Sequence, residues 1–165
     1  MLTDAIEIRI EPFQARYSRE LRRVAHESWI YTYRNIYSRE FIDGFIRENY
    51  RIKTLKSLEK FVDSGVISFN VAIFVKNLIG FCQFGKEPEF ILLRIYMKPE
   101  WMGRGIGSAL LERGEEWVKE KGGKSYIAYA QRKNELALNF YRRRGFEEDE
   151  KLSKNDEICF RKFVG

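Results

Sequence analysis

A chain of 165 residues is about one domain long and can bury roughly 70% of the surface its unfolded form exposes. With 44% apolar, 15% aromatic and 33% charged residues, disorder, collagen-like repeats and disulfide-stapled miniproteins are excluded, and no apolar run approaches the roughly 20 residues that span a bilayer. The 30 basic residues outnumber the 24 acidic ones, and the net charge of +6 suits an anionic partner such as a phosphate ligand. The basic residues are scattered rather than held in one block, which disfavours a nucleic-acid interface.

Residues 5–10 alternate apolar and polar and predict an opening strand, and the acidic and basic residues around them leave no apolar core for a signal peptide. Ser18 is placed to cap a helix that carries Leu21, Val24, Ala25, Ser28, Trp29 and Thr32 at helical spacing. Ser38 repeats the device ahead of Phe41, Ile42, Phe45 and Ile46, and a third helical pattern runs from Leu55 through Val62 to a stop at Gly65. Residues 67–75 and 78–84 are rich in β-formers and predict a hairpin, followed by a buried strand over 90–97 that Pro99 ends. A helix over about 105–121, a strand over 125–130, a helix over 135–144 and a closing strand over 157–163 complete the chain. Helices first, then a hairpin, then alternating strand and helix predict a mixed α/β fold, a single domain over 1–165 with helices on both faces of the sheet. Cys82 and Cys159 form no Cys-x-x-Cys pair, and with His26 as the sole histidine no metal site is expected. Two reduced structural thiols fit a cytoplasmic protein.

The most informative stretch is the turn after the 90–97 strand, where Gly103, Gly105 and Gly107 lead into an amphipathic helix. Glycines let a phosphate approach the backbone, and the free N–H groups and dipole of a helix N-terminus favour negative charge, so the turn is read as a pyrophosphate cradle. A P-loop needs a lysine where Ser108 and Ala109 follow Gly107. A Rossmann fingerprint needs an acidic ribose ligand after the next strand, where Gln131 stands.

A second block runs from Asn134 through Ala137 and Tyr141 to Gly145-Phe146. Together the two blocks resemble the GNAT N-acetyltransferase superfamily, whose Arg/Gln-x-x-Gly-x-Gly/Ala motif is matched by Met102 to Gly107 with Met102 as the one departure. Its Asn-x-x-Ala-x-x-x-Tyr motif is met in full. The segment around Ser28, Trp29, Tyr33 and Ile36, with Glu40 to Asp43 after it, is similar to a branch that includes polyamine acetyltransferases.

The resemblance implies a mostly antiparallel sheet of about six or seven strands and transfer of acetyl from acetyl-CoA to a primary amine, with no metal. It implies cofactor contacts at Ile95, Met97, Met102, Gly103, Arg104, Gly105, Ile106, Gly107, Ser108, Asn134, Phe140 and Tyr141. Tyr141 is expected to protonate the departing thiolate, and the Met97 backbone to hold the pantetheine arm and the oxyanion. Glu89, just before the strand, is the candidate base, acting directly or through water; where relatives carry a catalytic glutamate further into this strand, the matching position here is Ile91. Trp29, Tyr33, Glu40 and Asp43 are the candidate acceptor residues, for a polyamine such as spermidine. A peptide or protein α-amine and a non-catalytic acyl-CoA-binding regulator stay open as alternatives. The expected partners are acetyl-CoA and a small amine, with a homodimer admitted and no membrane.

Overall fold

The computed structural model describes residues 7–165 and organises them around a seven-stranded sheet. In chain order the strands are β1 (Ile8–Pro12), β2 (Ser68–Phe74), β3 (Asn77–Lys86), β4 (Phe90–Met97), β5 (Ser125–Gln131), β6 (Glu147–Glu148) and β7 (Glu157–Phe163). Helices α1 (Ser18–Tyr33), α2 (Arg39–Asn49), α3 (Ile52–Ser57) and α4 (Glu59–Asp63) lie between β1 and β2. Helix α5 (Ile106–Glu120) follows β4, and α6 (Glu135–Arg143) follows β5. The spatial order is β1-β2-β3-β4-β5-β7-β6, antiparallel except between β4 and β5.

The central strands are covered on both faces, which is why β2 and β3 are nearly continuous apolar runs rather than alternating ones. One hydrophobic cluster joins Phe84, Leu92, Tyr126 and Phe160 to Leu110 of α5 and Tyr141 of α6. The other joins Phe69, Val71 and Phe81 to Leu21, Val24 and Ala25 of α1 and to Ile42 and Ile46 of α2. Packing against the first cluster is tight. A Cβ added at Gly114 of α5 would lie 1.9 Å from Cε2 of Phe84, a fully buried ring. Gly114→Ala is therefore expected to destabilise the fold by about 1–3 kcal/mol or more, read as a lowered midpoint in thermal unfolding.

Several details differ from the sequence-based expectations. The first two residues of the expected opening strand, Ala5 and Ile6, lie outside the described residues. Ser38 caps α2 by accepting from the Phe41 N–H at 3.1 Å, but Ser18 is the first residue of α1 and its hydroxyl donates to the Ala15 carbonyl at 2.7 Å. That helix enters from a 3-10 turn over Ala15–Tyr17, which takes over the role of a side-chain cap. The third helical pattern is broken at Leu58 into α3 and α4. The short strand β6, two exposed glutamates, carries no sequence pattern that announces it.

The feature that positions the site is in β4. Its pairing with β3 slips between Gln83–Arg94 and Phe84–Leu92, which makes Leu93 a bulge. A bulge bends its strand and increases the local twist. Beyond it β4 leaves β5, and only Ile91–Ile127 and Leu92–Ala128 pair between them. Among the described residues, no helix is long and apolar enough to cross a membrane, no acidic, histidine and cysteine group could hold a metal, and both cysteines are buried and unpaired.

Candidate active site

The gap between β4 and β5 opens into a cleft of about 720 Å³ that runs through the sheet from the α5–α6 side to α1. The ladder between β3 and β4 determines what β4 offers to it. The Lys98 N–H donates to the Ile79 carbonyl at 2.8 Å, so Gly80 and Met97 form a non-hydrogen-bonded pair, as do Cys82 and Ile95 two residues on. The backbone N–H and C=O groups of Met97 and Ile95 consequently turn away from β3 and into the gap. This is the preorganised, unpaired backbone that a developing oxyanion or an amide-bearing arm requires.

At the α5 end, Gly103 and Gly105 adopt φ of 76° and 82°, a conformation glycine takes without strain, and open space lies where their side chains would be. The first intrahelical bond of α5 runs from the Ala109 N–H to the Gly105 carbonyl, so the first-turn N–H groups of Ile106, Gly107 and Ser108 have no helical partner. Gly107 serves closeness: a Cβ there would lie 2.7 Å from Cε2 of Phe140. The Arg144 guanidinium stacks 3.6 Å from the Phe140 ring centroid and donates from Nε to Ser108 Oγ at 3.0 Å. The cradle is thus braced against α6 and lined with positive charge.

Of the expected cofactor residues, Ile95, Met97, Met102, Gly103, Gly105, Gly107, Ser108, Asn134, Phe140 and Tyr141 all line the cleft. Arg104 and Ile106 do not: the Arg104 guanidinium lies over the Trp101 ring and Ile106 is buried in the core. Asn134 is engaged within the protein, its Oδ1 accepting from the Ala137 N–H and its Nδ2 donating to the Tyr33 hydroxyl, both at 3.1 Å. It caps α6 and ties that helix to α1. One Nδ2 hydrogen is left for a ligand.

Tyr141 is buried against Phe146 and Phe160 yet lines the cleft, and burial raises its pKa. It stays a neutral phenol across the physiological range and is a standing hydrogen-bond donor. Tyr33 reaches the same cleft from the end of α1, its pKa also raised by burial.

The remaining expected residues are not brought together there. Glu89 is held by Arg161, with Nη1 to Oε1 at 2.8 Å and Nη2 to Oε2 at 3.2 Å, and it does not line the cleft. Arg161 is shared with Asp149 at 3.3 Å. Glu89 is thus paired away from the cleft rather than set at the reacting centre, and Glu89→Gln is expected to leave kcat within roughly two-fold of wild type in a steady-state assay. Trp29 is a core residue, its ring stacked 3.9 Å from that of Phe45. Helix α2 turns Ile42 and Ile46 inward, so Glu40 is exposed and Asp43 is bonded to His26 and Arg39, both away from the cleft. In their place the α1 side of the cleft is lined by Ser28, Thr32, Tyr96 and Tyr129, which sequence reasoning did not assign to the site. The Ser28 hydroxyl is buried with no hydrogen-bond partner.

A splayed parallel strand pair, a glycine cradle opening a helix and a buried phenol opposite it are the parts of an acyl-CoA-dependent acyltransferase. Residues 30–146 match the profile of the acetyltransferase (GNAT) family, and the chain belongs to that family. It is 37% identical to a spermidine N(1)-acetyltransferase of Thermoplasma acidophilum over 131 residues, 77% of this chain and 80% of that one. The fold is similar to a crystal structure of PaiA N-acetyltransferase from Thermoplasma acidophilum in complex with coenzyme A, with a TM-score of 0.90 and 32% identity over 95% of this chain and 99% of that one. A GNAT-family structure from Desulfovibrio desulfuricans shares the fold at a TM-score of 0.71 and 22% identity, over 98% of this chain and 100% of that one. The protein is an acetyltransferase that uses acetyl-CoA as its co-substrate.

Proposed function

We propose that the acceptor is a polyamine such as spermidine, acetylated at a primary amine by direct attack within a ternary complex. Similarity to the Thermoplasma spermidine N(1)-acetyltransferase over most of both chains carries the choice of acceptor. The α1 side of the cleft is compatible with it. Hydroxyls from Ser28, Thr32, Tyr33, Tyr96 and Tyr129 line it. They supply acceptors for amine hydrogens.

In this reading acetyl-CoA lays its pyrophosphate on the N–H groups from Gly103 to Ser108 and its pantetheine arm along β4. The neutral amine attacks the thioester carbon, and the oxygen that gains charge is met by the Met97 N–H. The C–N bond forms as the C–S bond breaks, and the Tyr141 hydroxyl donates a hydrogen bond to the departing thiolate. A primary amine with a pKa near 10.4 is neutral in only about one molecule in a few thousand at pH 7. No described carboxylate lines the cleft, so water carries the amine proton away.

That same lack of a lining carboxylate favours a second acceptor class, a peptide α-amine, whose pKa of about 7.7–8.0 leaves more of it neutral. The deciding experiment is an acetylation screen of diamines, polyamines, aminoglycosides and N-terminal peptides at saturating acetyl-CoA. The expected result is a kcat/KM for spermidine well above that for any peptide. Turnover confined to peptides would overturn the polyamine reading and leave the acetyltransferase standing.

A further inference from the structure

A second concavity, of about 480 Å³, opens between α1 and α2, and none of the residues lining the cleft takes part in it. Arg19, Arg22 and Arg23 of α1 and Arg47 of α2 surround it. None of the four forms an ion pair with a described residue. The one carboxylate on its wall, Asp43, is already taken by His26 Nε2 at 2.6 Å and Arg39 Nε at 3.0 Å. Buried Ile46 and half-buried Ile52 add an apolar patch.

Residues 19, 22, 23 and 26 recur at three- and four-residue spacing, so α1 presents three arginines and a histidine as one stripe. Like charges at that spacing destabilise a helix, and Arg47 adds a further positive charge from the facing helix. A concave wall dominated by one sign focuses the field and concentrates counter-ions. Arginine in particular offers a planar fork of donors that matches phosphate oxygens two at a time.

We propose that this groove is a binding site for a phosphate-bearing anion with more than one phosphate, held by half-buried Arg22 with Arg19, Arg23 and Arg47 around it. The site is separate from the coenzyme cradle and independent of which amine is the acceptor. Because α1 also carries Ser28, Thr32 and Tyr33 into the cleft, an anion that clamps α1 to α2 braces the helix that lines the acceptor end.

The test is calorimetry with inorganic tripolyphosphate on the full chain, saturated with coenzyme A so that the cradle is filled, at about 0.15 M salt. Saturable binding of one tripolyphosphate per chain is expected. Arg22→Gln combined with Arg47→Gln should weaken it at least about ten-fold while the thermal midpoint and basal acetyl transfer stay unchanged. Should that pair unfold the chain, Arg19→Gln with Arg23→Gln, both exposed, provides the same readout. Absence of saturable heat, or an affinity unmoved by the substitutions, overturns the site. A single-stranded oligonucleotide that binds where tripolyphosphate does not overturns it as well, in favour of a nucleic-acid surface.

Discussion

Replacing Tyr141 by Phe is expected to lower kcat by roughly 10²–10³-fold, the usual worth of one hydrogen-bond donor aimed at developing charge, with the affinity for acetyl-CoA nearly unchanged. The ring keeps its packing against Phe146 and Phe160, so the substitution removes one oxygen atom and little else. Burial holds the Tyr141 pKa above its ordinary value of 10.0, and a free thiol titrates near 8.5. Full proton transfer from the phenol to the thiolate is therefore uphill. What the hydroxyl supplies is a hydrogen bond that strengthens as charge develops on sulfur, and the net proton released is the amine's. The pH dependence follows with its sign. Tyr141, Tyr33 and Tyr96 all have pKa values raised by burial, so none loses its proton below about pH 10, and no described carboxylate lines the cleft. With a polyamine acceptor, kcat/KM should climb with pH through the amine's own range without a descending limb below about pH 9. A Tyr141→Phe enzyme with wild-type kcat would remove the phenol from the mechanism.

The parts of this site that were legible in the sequence are those in which a local backbone need selects a residue type. Gly103 and Gly105 take positive φ, and Gly107 admits Phe140 at close range, so the cradle leaves its mark within five consecutive residues. Asn134 caps the short helix that carries Tyr141, and the spacing from cap to buried face is set by the helical repeat. Other parts are set by contacts between distant segments. Glu89 looked available as a base because Arg161, its partner, is 72 residues away in sequence. The Tyr33–Asn134 bond spans 101 residues, and the bulge at Leu93 is a relation between β3 and β4 that neither strand records alone. Trp29, Glu40 and Asp43 were misplaced for a related reason. An aromatic or acidic residue on an amphipathic helix reads the same whether its neighbour is a substrate, another ring or an arginine.

Gly105→Glu is expected to weaken binding of acetyl-CoA by roughly 100-fold or more while the domain stays folded. Two effects act at this position and can be separated. Gly105 has φ of 82°, which a residue with a Cβ adopts at a strain of roughly 1–2 kcal/mol. Beyond its immediate chain neighbours nothing lies within 4 Å of where that Cβ would be, so there is no clash to add. Gly105→Ala carries the strain without the charge, and the two variants should share a thermal midpoint a few degrees below wild type. Glutamate then adds a carboxylate at the mouth of the helix dipole, beside the first-turn N–H groups that the proposed binding mode gives to the diphosphate. A negative charge about 4 Å from another at an effective dielectric constant near 20 is repelled by about 4 kcal/mol, enough for a loss of two to three powers of ten in affinity. Calorimetric titration of both variants with coenzyme A reads the difference directly. If the glutamate variant bound as tightly as the alanine variant, the diphosphate would not lie on the Gly103–Ser108 backbone, and the first turn of α5 would have to be given another role.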